Sequence, residues 1–140
     1  MARVVNPDSA GKERTRLTKS IVMTIRELAP QNATSADSRD MAAFVALALE
    51  QIFAGIEVSV AAWEKRGYWV KADRFRLDWE WTGKQASRLR AAILQDDWDA
   101  IAQVMVQTAQ KLSKVQVSAN HRLGKPWVGA YDALMAKADI

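Results

Sequence analysis

Apolar residues recur every three to four positions through most of this chain, the spacing of one face of an α-helix. The first such stretch covers residues 11–29. Leu17, Ile21, Ile25 and Leu28 share one face there, and Lys12, Arg16, Lys19 and Arg26 share the opposite one. Pro30 ends the stretch, because the residue before a proline resists the α conformation. A polar loop, 31–38, follows, with Thr34 and Asp37 placed to form a capping box. The next helix, over 38–66, is apolar around most of its circumference, from Met41, Phe44 and Val45 through Ala48, Leu49, Ile52, Phe53, Ile56 and Val60 to Trp63. Its polar stripe is narrow: Glu50, Glu57 and Glu64 with alanines between. So wide an apolar arc predicts the central helix of a bundle.

Residues 63–81 carry four of the six tryptophans, mixed with charges of both signs. Phe75, Leu77, Trp79 and Trp81 alternate with Arg76, Asp78 and Glu80, which is strand periodicity. Helical spacing sorts the same stretch into two opposed apolar stripes. Tyr68, Ala72, Phe75 and Trp79 make one; Val70, Leu77 and Trp81 make the other. Helix is the better reading, because a strand needs partners and nothing else in the chain has strand character. The first stripe continues in phase through Ala86 and Ile93. One helix over 68–95 is therefore expected, with Gly83 as its weak point.

Asp96 is placed to cap a further helix with Trp98, Ile101, Met105, Ala109 and Leu112 inward and Gln103, Gln107, Gln110 and Lys114 outward. That helix fades between 115 and 119. After a loop at 120–125, Pro126 suits the first position of a last short helix whose inner side is Trp127, Tyr131, Leu134 and Met135. The expected fold is all-α: an antiparallel bundle of four main helices plus a short C-terminal one. Residues 1–140 form a single domain, with residues 1–10 loosely ordered.

Composition narrows the chemistry. A chain of 140 residues can bury a core without covalent staples. It has no cysteine, which excludes disulfides and thiolate sites and suits a cytoplasmic setting. The first residues lack the apolar segment of a secretory leader. The most apolar run, 41–49, is too short to span a bilayer, so no membrane partner is expected. A net charge of +4 is mild for this size and allows acidic partners without requiring them.

Catalytic groups are scarce. The one histidine, His121, sits in a basic loop with no nucleophile signature near it, and reads as a solvated loop residue. The stripe of Glu50, Glu57 and Glu64 resembles the inward carboxylates of helical di-metal bundles, but those also need Glu-x-x-His, and position 118 is serine. Ala10-Gly11-Lys12 departs from a phosphate-binding loop at Asn6 and Glu13. No catalytic residue, metal ligand or cofactor is therefore expected. Lys12, Lys19 and Arg26 recur every seven residues, as do the three glutamates, so neighbouring helices or two copies of the chain could form an ionic seam.

Three functions follow as expectations. The first is a non-enzymatic interaction or scaffold protein that self-associates or joins a larger complex. Its contact residues are Val70, Leu77 and Trp81 with neighbouring Trp69, because tryptophan beside arginine is typical of interface hot spots. The second is a helical accessory subunit holding a nucleic-acid backbone through Lys71, Arg74, Arg76, Lys12, Arg16 and Lys19. The third is a small-molecule pocket lined by Trp63, Trp69, Trp79 and Trp98.

Overall fold

The computed structural model describes residues 7–31 and 35–138. They form α1 (Pro7–Leu28), α2 (Ala36–Lys65), α3 (Trp69–Trp79), α4 (Trp81–Leu94), α5 (Trp98–Lys111) and α6 (Ala130–Ala138), with no strand among the described residues. The fold is an all-α bundle.

Helix α2 is its axis. The Ser35 side chain caps it, accepting the Ser38 backbone N–H at 3.0 Å. The expected cap residue Thr34 lies outside the described residues. α2 packs against α1, α3, α4 and α6. Ala42, Ala43 and Ala46 are fully buried, and such short side chains let neighbouring backbones come close. Val45, Leu49, Ile52, Ile56 and Val60 fill the centre, joined by Leu17 and Ile21 of α1, Leu89 of α4, Ile101 of α5 and Leu134 of α6. Over Ala36–Lys65 the helix is long and apolar enough to cross a bilayer, a longer run than 41–49 suggests. Just over half of its most apolar window, 56 %, is covered by other helices, as in the middle of a bundle. A smaller cluster of Met23, Met41 and Trp127, with Leu123 and Val117 against it, fastens the segment after α5 to one end.

Several expected boundaries move. α1 begins at Pro7, so residues 7–10 are helical rather than loose, and Ala10 is buried. Proline is tolerated in a first helical turn, where its missing N–H has no helical partner to lose. Residues 1–6 lie outside the described residues. The helix expected over 68–95 is interrupted at Glu80, not at Gly83. The Thr82 hydroxyl donates to the Trp79 carbonyl at 2.7 Å, and the Gly83 N–H turns to the Glu80 carbonyl at 3.2 Å. A hydroxyl bonding back to a helix carbonyl bends the helix there. The cap of α5 is Asp97, whose side chain accepts the Ala100 N–H at 3.1 Å. Asp96, expected in that role, has φ 54° and accepts from the Trp98 indole N–H at 3.0 Å. Pro126 does not open the last helix: residues 126–129 are turn, and α6 starts at Ala130.

Gly83 has a packing role instead. A Cβ at this position would lie 2.9–3.1 Å from three atoms of the Phe53 ring on α2. Helix propensity alone predicts that Gly83→Ala gains about 1 kcal/mol. The contact reverses the sign: Gly83→Ala lowers stability in urea unfolding, and the same change made in Phe53→Ala raises it. A stabilising G83A in the wild-type background would contradict this packing.

Candidate functional site

The sharp corner between α2 and α3 is made by Gly67, whose φ of 83° is left-handed and costs glycine little. It swings Tyr68 and Trp69 outward and returns α3 along α2. Ala72 is fully buried there. Phe75 and Trp79 are half-buried: Phe75 meets the edge of Trp63 with centroids 4.7 Å apart and stands 6.3 Å from Trp79. Arg14 of α1 closes this inner face, its guanidinium 4.8 Å from the Phe75 centroid and 5.5 Å from that of Trp79. Its Nη1 is buried without a hydrogen-bond partner among the described residues, and burial pushes the guanidinium pKa down.

The opposite side of α3 is uncovered. Val70 is 74 % exposed, Leu77 68 %, Trp69 59 % and Tyr68 56 %. Trp81, expected in the same stripe, lies beyond the kink and is half-buried, stacked 6.4 Å from Trp79 at 21°. Gly67, Tyr68, Trp69, Val70, Lys71 and Arg74 line a recess of about 550 Å³ at the N-terminal end of α3.

The six candidate phosphate contacts do not converge. Arg76 pairs with Asp73 at 3.2 Å and with Glu64 at 3.6 Å. Arg16 pairs with Glu13 at 2.6 Å, and the Lys71 ammonium lies 4.7 Å from the Trp63 ring centroid. Lys12, Lys19 and Arg74 are exposed and have no ion-pair partner among the described residues. The basic residues of α1 and α3 stand on helices that share little packing.

Among the described residues the ionic seam does not form within the chain. Glu50 is held by Arg90 of α4 through two hydrogen bonds of 2.7 and 3.0 Å, which raise the Arg90 pKa. Glu64 serves Arg76. Lys12 and Lys19 face solvent, and Arg26 donates to the Val117 carbonyl at 3.3 Å. Glu50 and Glu64 reach α4 and α3 and Glu57 is exposed, while Lys12 and Lys19 lie on the outer side of α1.

Nor do the four tryptophans share a pocket. Trp63 and Trp79 flank Phe75 and Trp69 faces outward. Trp98 instead lines an apolar groove of about 560 Å³ between α1 and α5, with Ile25, Leu28, Ile101, Met105 and Val106. Sequence spacing marks Trp98, Ile101 and Met105 as inward, but not that α1 and α5 pack so lightly that a groove remains. Arg14, Arg90 and the cluster in which Arg88 donates to both Gln85 and Gln107, at 2.9 and 2.7 Å, were not anticipated. His121 staples its loop, its Nδ1 accepting the Leu123 N–H at 3.2 Å. Among the described residues no three His, Asp or Glu side chains gather as a metal site would require.

No protein-family model matches this chain, and no curated protein or solved structure is significantly similar to it.

Of the six tryptophans Trp69 alone is exposed; the other five are buried or half-buried. Trp69→Phe in a dilute sample therefore removes a larger share of the acrylamide-quenchable fluorescence than the same change at Trp63, Trp79, Trp81, Trp98 or Trp127. A larger loss at any of those five would contradict the outward placement.

Proposed function

We propose that this chain is a non-enzymatic helical interaction protein that self-associates or joins a larger assembly through the outer face of α3. One observation carries the reading: Tyr68, Trp69, Val70 and Leu77, four large apolar side chains on one corner and its helix, are each more than half exposed. Scattered exposed apolar residues are ordinary, but a contiguous aromatic and aliphatic patch beside Arg74 has the composition of an interface centre. The reading has the protein acting in the cytoplasm, where a cysteine-free chain loses nothing to reducing conditions.

Nucleic-acid backbone binding has less support, since Arg76 and Arg16 already hold carboxylates. A small-molecule role is favoured by a separate observation, the groove beside Trp98. Its apolar lining suits an alkyl or aromatic ligand.

The double substitution Val70→Glu/Leu77→Glu separates assembly from folding. Both side chains are exposed, so helicity persists and stability changes by roughly 0.5 kcal/mol or less. Light scattering and chemical cross-linking should show assembly lost. A wild-type chain that stays monomeric and cross-links to nothing would remove the interaction reading. For the groove, titration with medium-chain alkyl amphiphiles below their critical micelle concentration should shift emission in the wild type and not in Trp98→Phe. Equal responses from both proteins would remove that reading.

A further inference from the structure

We propose that a recess between α4 and α5 binds a small aromatic anion, a ligand that joins a planar ring to a phosphate or carboxylate group. The recess has a volume of about 360 Å³. Trp81, Lys84 and Gln85 of α4 line it, with Gln107, Gln110 and Lys111 of α5. It is a different place from the outer face of α3 and, apart from a shared Gln110, from the groove beside Trp98. The inference therefore goes beyond both readings of function and can fail without them.

A polar network at the recess decides which atoms it presents. Arg88 carries only N–H donors. Its Nη1 donates to Gln85 Oε1 at 2.9 Å and to Gln107 Oε1 at 2.7 Å. These two bonds fix both amides, because either one turned over would set N–H against N–H. Gln85 Nε2 then donates to Gln107 Oε1 at 2.9 Å. Both amide oxygens are thereby engaged within the network. The Gln107 amide N–H groups are left with no hydrogen-bond partner among the described residues.

The charges lining the recess are of one sign. Lys84 and Lys111 are exposed, and neither has an ion-pair partner among the described residues. No Asp or Glu is among the described residues that line it. Glu80, one turn before Lys84, lines a second recess with Phe53, Gly83 and Ser87, which Lys84 also borders. Two ammonium groups and an amide donor thus line one cavity without a carboxylate, a lining that favours an anion.

Trp81 supplies the rest of the ligand's description. It stacks on Trp79 with centroids 6.4 Å apart, yet it is only half-buried and still forms part of the recess wall. A bare inorganic anion makes no use of an indole. A flat ring laid against it buries apolar area on both partners. A volume of about 360 Å³ is at the small end of ligand pockets, which limits the ligand to roughly one or two rings. Arg88 is a positioning residue here: it holds the two amides and leaves the donor of Gln107 to the ligand.

Gln107→Glu separates binding from folding. A carboxylate at this position still accepts from Arg88 and Gln85, so the melting temperature holds or rises. It also replaces the free N–H groups by a negative charge in the recess. Phenyl phosphate and benzoate are titrated into the full chain by calorimetry, with inorganic phosphate as the anion-only control and phenol as the ring-only control. The better aromatic anion binds the wild type roughly tenfold or more tighter than either control, and its identity tells phosphate from carboxylate. Gln107→Glu and the double variant Lys84→Gln/Lys111→Gln each weaken that binding roughly tenfold or more. The proposal is overturned if neither aromatic anion binds, if a control binds as tightly as the better one, or if Gln107→Glu with unchanged helicity binds as the wild type does.

Discussion

A helix that is apolar on nearly every side has to be surrounded, and that requirement on α2 arranges everything else. Its buried positions include Ala42, Ala43 and Ala46 towards one end and Leu49, Ile52, Ile56 and Val60 beyond them. Four other helices are drawn onto it. The chain has enough length to cover α2 but little to spare for covering the coverers. α3 is the shortest of the five helices before the C-terminal one, with 11 residues. It gives one side to α2, and among the described residues nothing is packed over its other side. The exposed patch is therefore a consequence of where the apolar surface had to go first.

The kink at Glu80 decides which residues stay outside. Without it, Trp81 would continue the row of Val70 and Leu77 into solvent. The helix is interrupted at Glu80, the Thr82 hydroxyl donates to the Trp79 carbonyl across the break, and Trp81 stacks on Trp79 at 6.4 Å. The outer stripe is thus shortened to α3 alone. Its inner counterpart is fixed from the far side by Arg14, a cation held over two rings with no carboxylate partner among the described residues. Stacking on aromatic faces is a role that the planar guanidinium fills better than a lysine ammonium would.

Much of this was legible in the chain because it depends on periodicity. The inward faces of α1, α2 and α5 and the central place of α2 follow from spacing alone, since burial and helical period are linked residue by residue. The preference for helix over strand was also legible, and the two stripes were legible in part: Ala72, Phe75 and Trp79 lie inward and Val70 and Leu77 outward, but Tyr68, expected inward, is exposed and Trp81, expected outward, is half-buried. What periodicity does not carry is the choice a hydroxyl makes between solvent and a carbonyl three residues back, so the bend was expected at Gly83. Pairing between distant positions is equally silent. Glu50 and Arg90 are forty residues apart, and nothing local says that α4 presents an arginine to that glutamate rather than α1 a lysine. Heptad-spaced Lys12, Lys19 and Arg26 looked complementary to the glutamates, but α1 turns its apolar face to α2 and so carries those cations away from it.

The same bookkeeping of charges separates the candidate roles. A surface that tracks nucleic-acid backbone works by presenting cations whose counterions are mobile and can be released. On α3, Arg76 is already neutralised by two carboxylates of its own chain and Lys71 is drawn onto a ring. Folding thus spends two of that helix's three basic residues internally. It leaves one arginine in the middle of a short apolar row and two acids beyond its C-terminal end. A field so divided attracts no polyanion strongly.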